Sequence, residues 1–70
     1  MTTHDRLIMM ANQIAAHFAM EVDPAGATAE HINLFWDARM KSLLIAGDSA
    51  ALSPAAAAAL DIISKEAVPQ

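Results

Sequence analysis

Residues 53–67 read SPAAAAALDIISKEA, and this stretch decides the class of the fold. Ser53 is a good N-cap, because a serine hydroxyl accepts from the free backbone N–H groups of a helix's first turn. Pro54 falls at the first helical position, where its fixed φ suits the helix and its missing N–H costs nothing. The run Ala55–Ala59 has the highest intrinsic helix propensity. Ala56, Ala59, Leu60, Ile63 and Ala67 recur at helical spacing and predict a narrow buried seam. Asp61 and Lys65, one turn apart, should pair on the outer side. Pro69 ends the pattern, so a helix is expected over about 54–67. Such a seam lets helices approach closely but removes little apolar area from water.

Working towards the N-terminus, two longer segments carry the same period. The first should run over about 4–20, capped by Thr3 or Asp5. Leu7, Met10, Ala11, Ile14 and Phe18 form its apolar stripe. The stretch Val22–Gly26 should stop it, since Pro24 lacks a donor and Gly26 permits a turn. The second should run over about 28–46, with Ile32, Phe35, Trp36, Met40 and Leu43 in a broad arc. Gly47 lies where a left-handed C-terminal cap would sit. No segment reads as a strand. The expected fold is all-α: one small helical domain over residues 1–70, built as a helical hairpin plus a third helix.

Composition narrows the function classes. The chain has 70 residues, of which 56% are hydrophobic, and its mean hydropathy is +0.34. A domain this small buries only about 60% of its unfolded surface, so help from a partner is expected. There is no cysteine, which excludes disulfides, Cys-ligated zinc and iron–sulfur ligation by this chain. The net charge is −4, and the four basic residues form no patch, so nucleic acid is not an expected partner. No apolar run approaches membrane-spanning length, and the polar start Met1–Arg6 leads into no signal-peptide core. A soluble, cytoplasmic protein with no membrane association is expected.

The apolar residues exceed what one stripe per helix requires. Met9, Ala16 and Met20 lie opposite the main stripe of the first segment, flanked by Asn12 and Gln13. Leu34, Ala38 and Ile45 lie opposite Ile32 and Leu43 on the second. A helix apolar on two sides is normally covered on two sides. Either a partner supplies that cover, or the helices are shorter or rotated and the strips are loosely packed core. Met9, Met10, Met20 and Met40 could form an adaptable contact surface or serve as core filler. In a continuous second helix Arg39 falls inside the apolar arc, where an unpaired cation is costly. It could snorkel, pair with a carboxylate of this chain or a partner, or be released by a bend near Asp37.

Chemistry-bearing motifs are sparse. His17 and Glu21 are spaced i, i+4, and His31 follows Glu30, which leaves a metal carrier as a rival reading. No HExxH or comparable ligand set supports it. Ser42, Ser49, Ser53 and Ser64 stand in no nucleophile motif. Gly26 and Gly47 are isolated, so no phosphate-cradling loop is present. No catalytic, cofactor-binding or metal-ligating residue is expected.

Two segments carry a family resemblance. Leu7–Phe18 reads LIMMANQIAAHF, centred on Met10–Ala15, and His31–Met40 reads HINLFWDARM. Together they resemble the paired signatures of the delta subunits of NAD-dependent, molybdenum-containing formate dehydrogenases, over roughly Leu7 to Pro54. The family pattern often has proline between the Asp and Arg, where this sequence has Ala38, so the second helix is expected to run on. The resemblance implies a non-catalytic accessory subunit of a cytoplasmic complex that oxidises formate and reduces NAD. It implies that other subunits hold bis-molybdopterin guanine dinucleotide, iron–sulfur clusters, FMN and the NAD site. The implied partner is the catalytic (alpha) subunit, whose assembly, stability or molybdenum-cofactor insertion this chain would support. Met9, Asn12, Gln13, Phe18, His31, Trp36, Asp37 and Arg39 are the expected docking contacts, with core packing an equal alternative for Phe18 and Trp36. The rival reading in the interaction class is an unrelated helical module or self-associating regulator.

Overall fold

The computed structural model describes residues 2–47 and 50–67, the last by its backbone alone. It is all-helical among the described residues, with four helices where the sequence predicted three. They are α1 (Thr3–His17), α2 (Pro24–Phe35), α3 (Ala38–Ala46) and α4 (Pro54–Ala67). The expected stop at Pro69 and the side chain of Ala67 lie outside the described residues.

Every helix start is set by a short polar side chain. The N-cap of α1 is Thr2, one residue before the expected Thr3. Its hydroxyl accepts from the Asp5 backbone N–H at 3.1 Å, and the Asp5 carboxylate accepts from the Thr2 N–H at 3.0 Å. Asp5 is therefore the reciprocal half of a capping box rather than the cap. Hydrogen bonding to the Asp5 carboxylate from the Thr2 backbone N–H first, and from the Thr2 side chain second, holds that carboxyl below its ordinary range.

The helix ends at His17, short of the predicted Met20. The Ala19 N–H bonds back three residues to Ala16 and leaves the α-helical ladder.

Pro24, expected as a stop, instead opens α2. Asp23 caps it by accepting from Gly26 N–H at 3.1 Å, and Pro24 takes the first helical position. Thr28, the expected start, lies inside α2, fully buried. Its hydroxyl donates to the Pro24 carbonyl at 2.7 Å.

The predicted long second helix is interrupted at Trp36–Asp37. Trp36 has extended backbone, φ −97° and ψ 139°. Asp37 caps α3 by accepting from Met40 N–H at 2.8 Å. The break occurs without proline: Ala38 holds the first-turn position that proline favours, and the carboxylate alone restarts the helix. Of the three readings for Arg39, the change of phasing near Asp37 is the one observed, and Arg39 is exposed. Ser53 caps α4 as expected, accepting from Ala56 N–H at 3.3 Å. The Asp61–Lys65 pair forms at 3.1 Å on an exposed face.

Gly47 ends α3 in extended backbone, φ −89° and ψ −173°, not the predicted left-handed cap. Its value is spatial: a Cβ there would collide with the His4 imidazole. His4 Nε2 is buried with no hydrogen-bond partner among the described residues.

The core joins all four helices, and α2 against α4 is its largest contact. Of the predicted seam, Ala56, Ala59, Leu60 and Ile63 are buried together with Ala29 and Ile32 of α2 and Trp36 at its C-terminal cap. Leu44 of α3 and Leu52 before α4 complete that side. On α1 the buried positions are Leu7, Ile8, Ala11 and Ala15, a stripe rotated from the predicted one. Small Ala11 and Ala15 take the closest approach, which turns Met10 outward and leaves Ile14 only partly covered.

Two asparagines tie distant segments. The Asn12 amide donates to the Ala51 carbonyl at 3.0 Å, and its oxygen accepts from Ser53 N–H at 2.8 Å. That pair fixes the approach to α4 on the side of α1. Asn33 donates to Glu66 at 2.9 Å and accepts from Lys41 at 3.3 Å, linking α2, α4 and α3.

Two outcomes follow. Asn12→Ala removes both clamping bonds and should lower urea-unfolding stability by roughly 1–3 kcal/mol. Thr2→Val keeps the backbone bond to Asp5 but removes the hydroxyl bond, so NMR titration should show the Asp5 carboxyl move part of the way up. A depressed carboxyl stabilises above its unfolded value, and that contribution fades as pH falls through the folded one. The acid limb of a stability profile should therefore shift to higher pH in the variant.

Candidate functional site

The interruption at residue 36 decides which aromatic side chain faces water. Trp36 turns into the core at 6% exposure, while its neighbour Phe35 is 71% exposed. Phe35 stands at the end of a ladder of ring contacts, one edge-to-face and two tilted, running across α1 and α2. His31 and Phe35 ring centroids are 4.6 Å apart, Phe18 and His31 5.8 Å, and His17 and Phe18 5.0 Å. The first pair lies one turn apart on α2. The second bridges from the C-terminal end of α1.

Beside this ladder lie two open grooves that share Phe18 and His31. One, about 260 Å³, is walled by Met10, Gln13, Ile14, His17, Phe18 and His31 and is predominantly apolar. The other, about 240 Å³, is walled by Phe18, Glu21, Ala27, Glu30, His31 and Leu34. Leu34 is 70% exposed, and Met20 and Val22 in the connecting turn are almost wholly exposed. Exposed apolar residues scattered singly are ordinary, but a contiguous stretch rimmed by polar groups marks an interaction surface. The grooves are shallow and open, suited to side chains of another macromolecule rather than to enclosing a small ligand.

The eight residues expected to dock separate into three groups. Gln13, Phe18 and His31 are brought together in the first groove. Met9, 42% exposed, lies elsewhere on α1, and Arg39 is exposed near the start of α3. Asn12, Trp36 and Asp37 are engaged within the chain: Asn12 clamps residues 51–53, Trp36 fills the core and Asp37 caps α3.

Sequence reading placed Met10 and Phe35 on core stripes, so it missed them as surface residues. The signal for Phe35 was its Trp-Asp neighbour pair, since a capping Asp after adjacent aromatics allows only one of them to face inward. His17, Glu21 and His31 do not converge on a metal. Among the described residues no three His, Cys, Asp or Glu side chains are grouped to hold one. No described helix is long and apolar enough to cross a membrane.

These features define a small four-helix protein with an open, aromatic and imidazole-lined apolar face. Residues 6–60 match the family model of the NADH-dependent formate dehydrogenase delta subunit FdsD, and the chain belongs to that family. Neither a curated protein nor a solved structure matches the chain.

The neighbouring aromatics should separate in their effect on stability. Trp36→Ala should cost roughly 3–5 kcal/mol in urea unfolding. Phe35→Ser should change stability by less than about 1 kcal/mol.

Proposed function

We propose that this chain is a non-catalytic accessory subunit of a cytoplasmic NAD-dependent formate dehydrogenase complex, docking on the catalytic subunit through its α1–α2 face. What carries the reading is a conjunction: the delta-subunit match over residues 6–60, on a chain whose exposed Met10, Leu34 and Phe35 adjoin half-buried Phe18 and His31 along two open grooves. Burying that surface removes aromatic and aliphatic area from water, the dominant favourable term in association. Gln13 and the two imidazoles supply polar contacts that fix register. Asn12, Trp36 and Asp37 contribute by holding the helices that present the face.

The redox groups of such a complex do not fit this chain. Iron–sulfur ligation needs thiolates, and the chain has no cysteine. Its open grooves offer no cradle for a molybdopterin or flavin. Oxidation of formate and reduction of NAD therefore belong to other subunits, which carry the molybdenum cofactor, iron–sulfur clusters, FMN and NAD site. This chain's contribution is to assembly, stability or cofactor insertion of the catalytic subunit.

Co-expression of the tagged chain with the catalytic subunit tests the proposal. The wild-type chain should retain a molybdenum-containing subunit, and the retained complex should reduce NAD with formate once the other subunits are present. Phe35→Glu should lower retention at least tenfold with unchanged circular dichroism. A catalytic subunit that reaches full molybdenum content and activity without ever retaining this chain would overturn it.

A further inference from the structure

We infer that, in the absence of its partner subunit, the chain covers its α1–α2 face with a second copy of itself, packed antiparallel about a two-fold axis near Gln13. The inference shares the face, though not the partner, with the accessory-subunit reading.

The argument starts from the order of side chains along the face. Arg6, Met10, Gln13 and His17 recur at i, i+4, i+7 and i+11, which places them on one side of α1. Met10, Gln13 and His17 wall the apolar groove. Arg6 is exposed at one end. Glu21 and Glu30 wall the adjoining groove at the other end. Among the described residues, none of these three charged side chains takes part in an ion pair; the pair that forms is Asp61–Lys65 on α4. The face is thus basic at one end, apolar in the middle and acidic at the other, with neither end neutralised from within.

Such a gradient is complementary to its own reverse. An isologous contact places residue i against j and j against i. Along α1, Met10 and His17 are equidistant from the Gln13–Ile14 peptide, with Arg6 one turn before Met10 and Glu21 in the turn beyond the helix end. Antiparallel packing about that point sets Arg6 of one copy against Glu21 and Glu30 of the other, twice. It also lays Met10 of each copy along the other's His17–Phe18 edge. A parallel arrangement would oppose like charges at both ends. The remaining basic residues are placed elsewhere: Lys41 bonds Asn33, Lys65 pairs with Asp61, and Arg39 is on α3. A standard-size interface takes about 800 Å² from each partner, roughly a sixth of this chain's 4628 Å².

The experiment is sedimentation of the purified full chain over a range of micromolar concentrations, at low and high salt. A dimer is expected, weakening as salt rises, because its end contacts are solvent-exposed ion pairs. Arg6→Glu and Glu21→Arg should each lower the dimerisation constant at least tenfold. The charge-swapped chain carrying both changes should recover most of it, since the swap restores complementarity across the two-fold. Arg6 and Glu21 are exposed, so circular dichroism should keep its wild-type helical signal throughout.

A monomer at all concentrations would overturn the inference, as would a dimer indifferent to both single variants or a double variant no better than the singles. Co-purification of a monomeric chain with the catalytic subunit would leave the accessory-subunit reading standing while removing this one. A chain that dimerises as expected but never associates with formate dehydrogenase would do the reverse.

Discussion

The close packing of α2 on α4 is the constraint from which the rest of the structure follows. Ala29 on one helix and Ala56 and Ala59 on the other are buried at the centre of that contact. Small side chains let two backbones approach, and the closer they come the less room remains between them for large ones. Ala11 and Ala15 extend the same tight geometry to α1. A core built this way is dense but small in apolar area. It accommodates Trp36, Ile32, Leu44 and Ile63, and has no space for Phe35, Leu34 or Met10. The surplus of large apolar residues is therefore placed on the surface by the economy of the core itself.

Polar side chains then fix where each element begins. Thr2 with Asp5, Asp23, Asp37 and Ser53 each satisfy backbone N–H groups that a helix start leaves free. Asp37 has the widest consequence. By restarting the helix it sends Trp36 inward, leaves Phe35 outward in line with His31 and Phe18, and releases Arg39 to solvent. The same carboxylate that caps α3 thereby leaves Phe35 in place to complete the aromatic ladder of the α1–α2 face.

Much of this was legible in the sequence. The Ser53–Pro54 start, the α4 seam and the Asp61–Lys65 pair are local features, and the folded chain keeps them. The all-α class and the presence of more apolar surface than one core can use were equally readable. What failed depended on tertiary competition. The stripe of α1 was read from its largest residues, whereas the fold buries its alanines and leaves Met10 40% exposed. Pro24 was read as a stop because proline breaks a helix interior, though after a capping Asp it opens one. The second helix looked continuous because nothing in its period announces a break; only Asp37, read as an N-cap, does so. The Asn12 bonds to residues 51 and 53 were not foreseen, since those partners lie about forty residues away and no local pattern predicts such a bond.

Placing the family match beside these constraints gives a coherent account of a small subunit. Its core joins four helices among the described residues, and several of its remaining large apolar side chains, Met10, Leu34 and Phe35 among them, are exposed along the α1–α2 face. Hydrogen–deuterium exchange of the chain, free at a dilution that keeps it monomeric and in complex with the catalytic subunit, tests that account most directly. It predicts new protection across residues 10–22 and 27–35, with the outer face of α4 unchanged. Protection confined to α3 and α4, with the α1–α2 face exchanging as in the free chain, would contradict it.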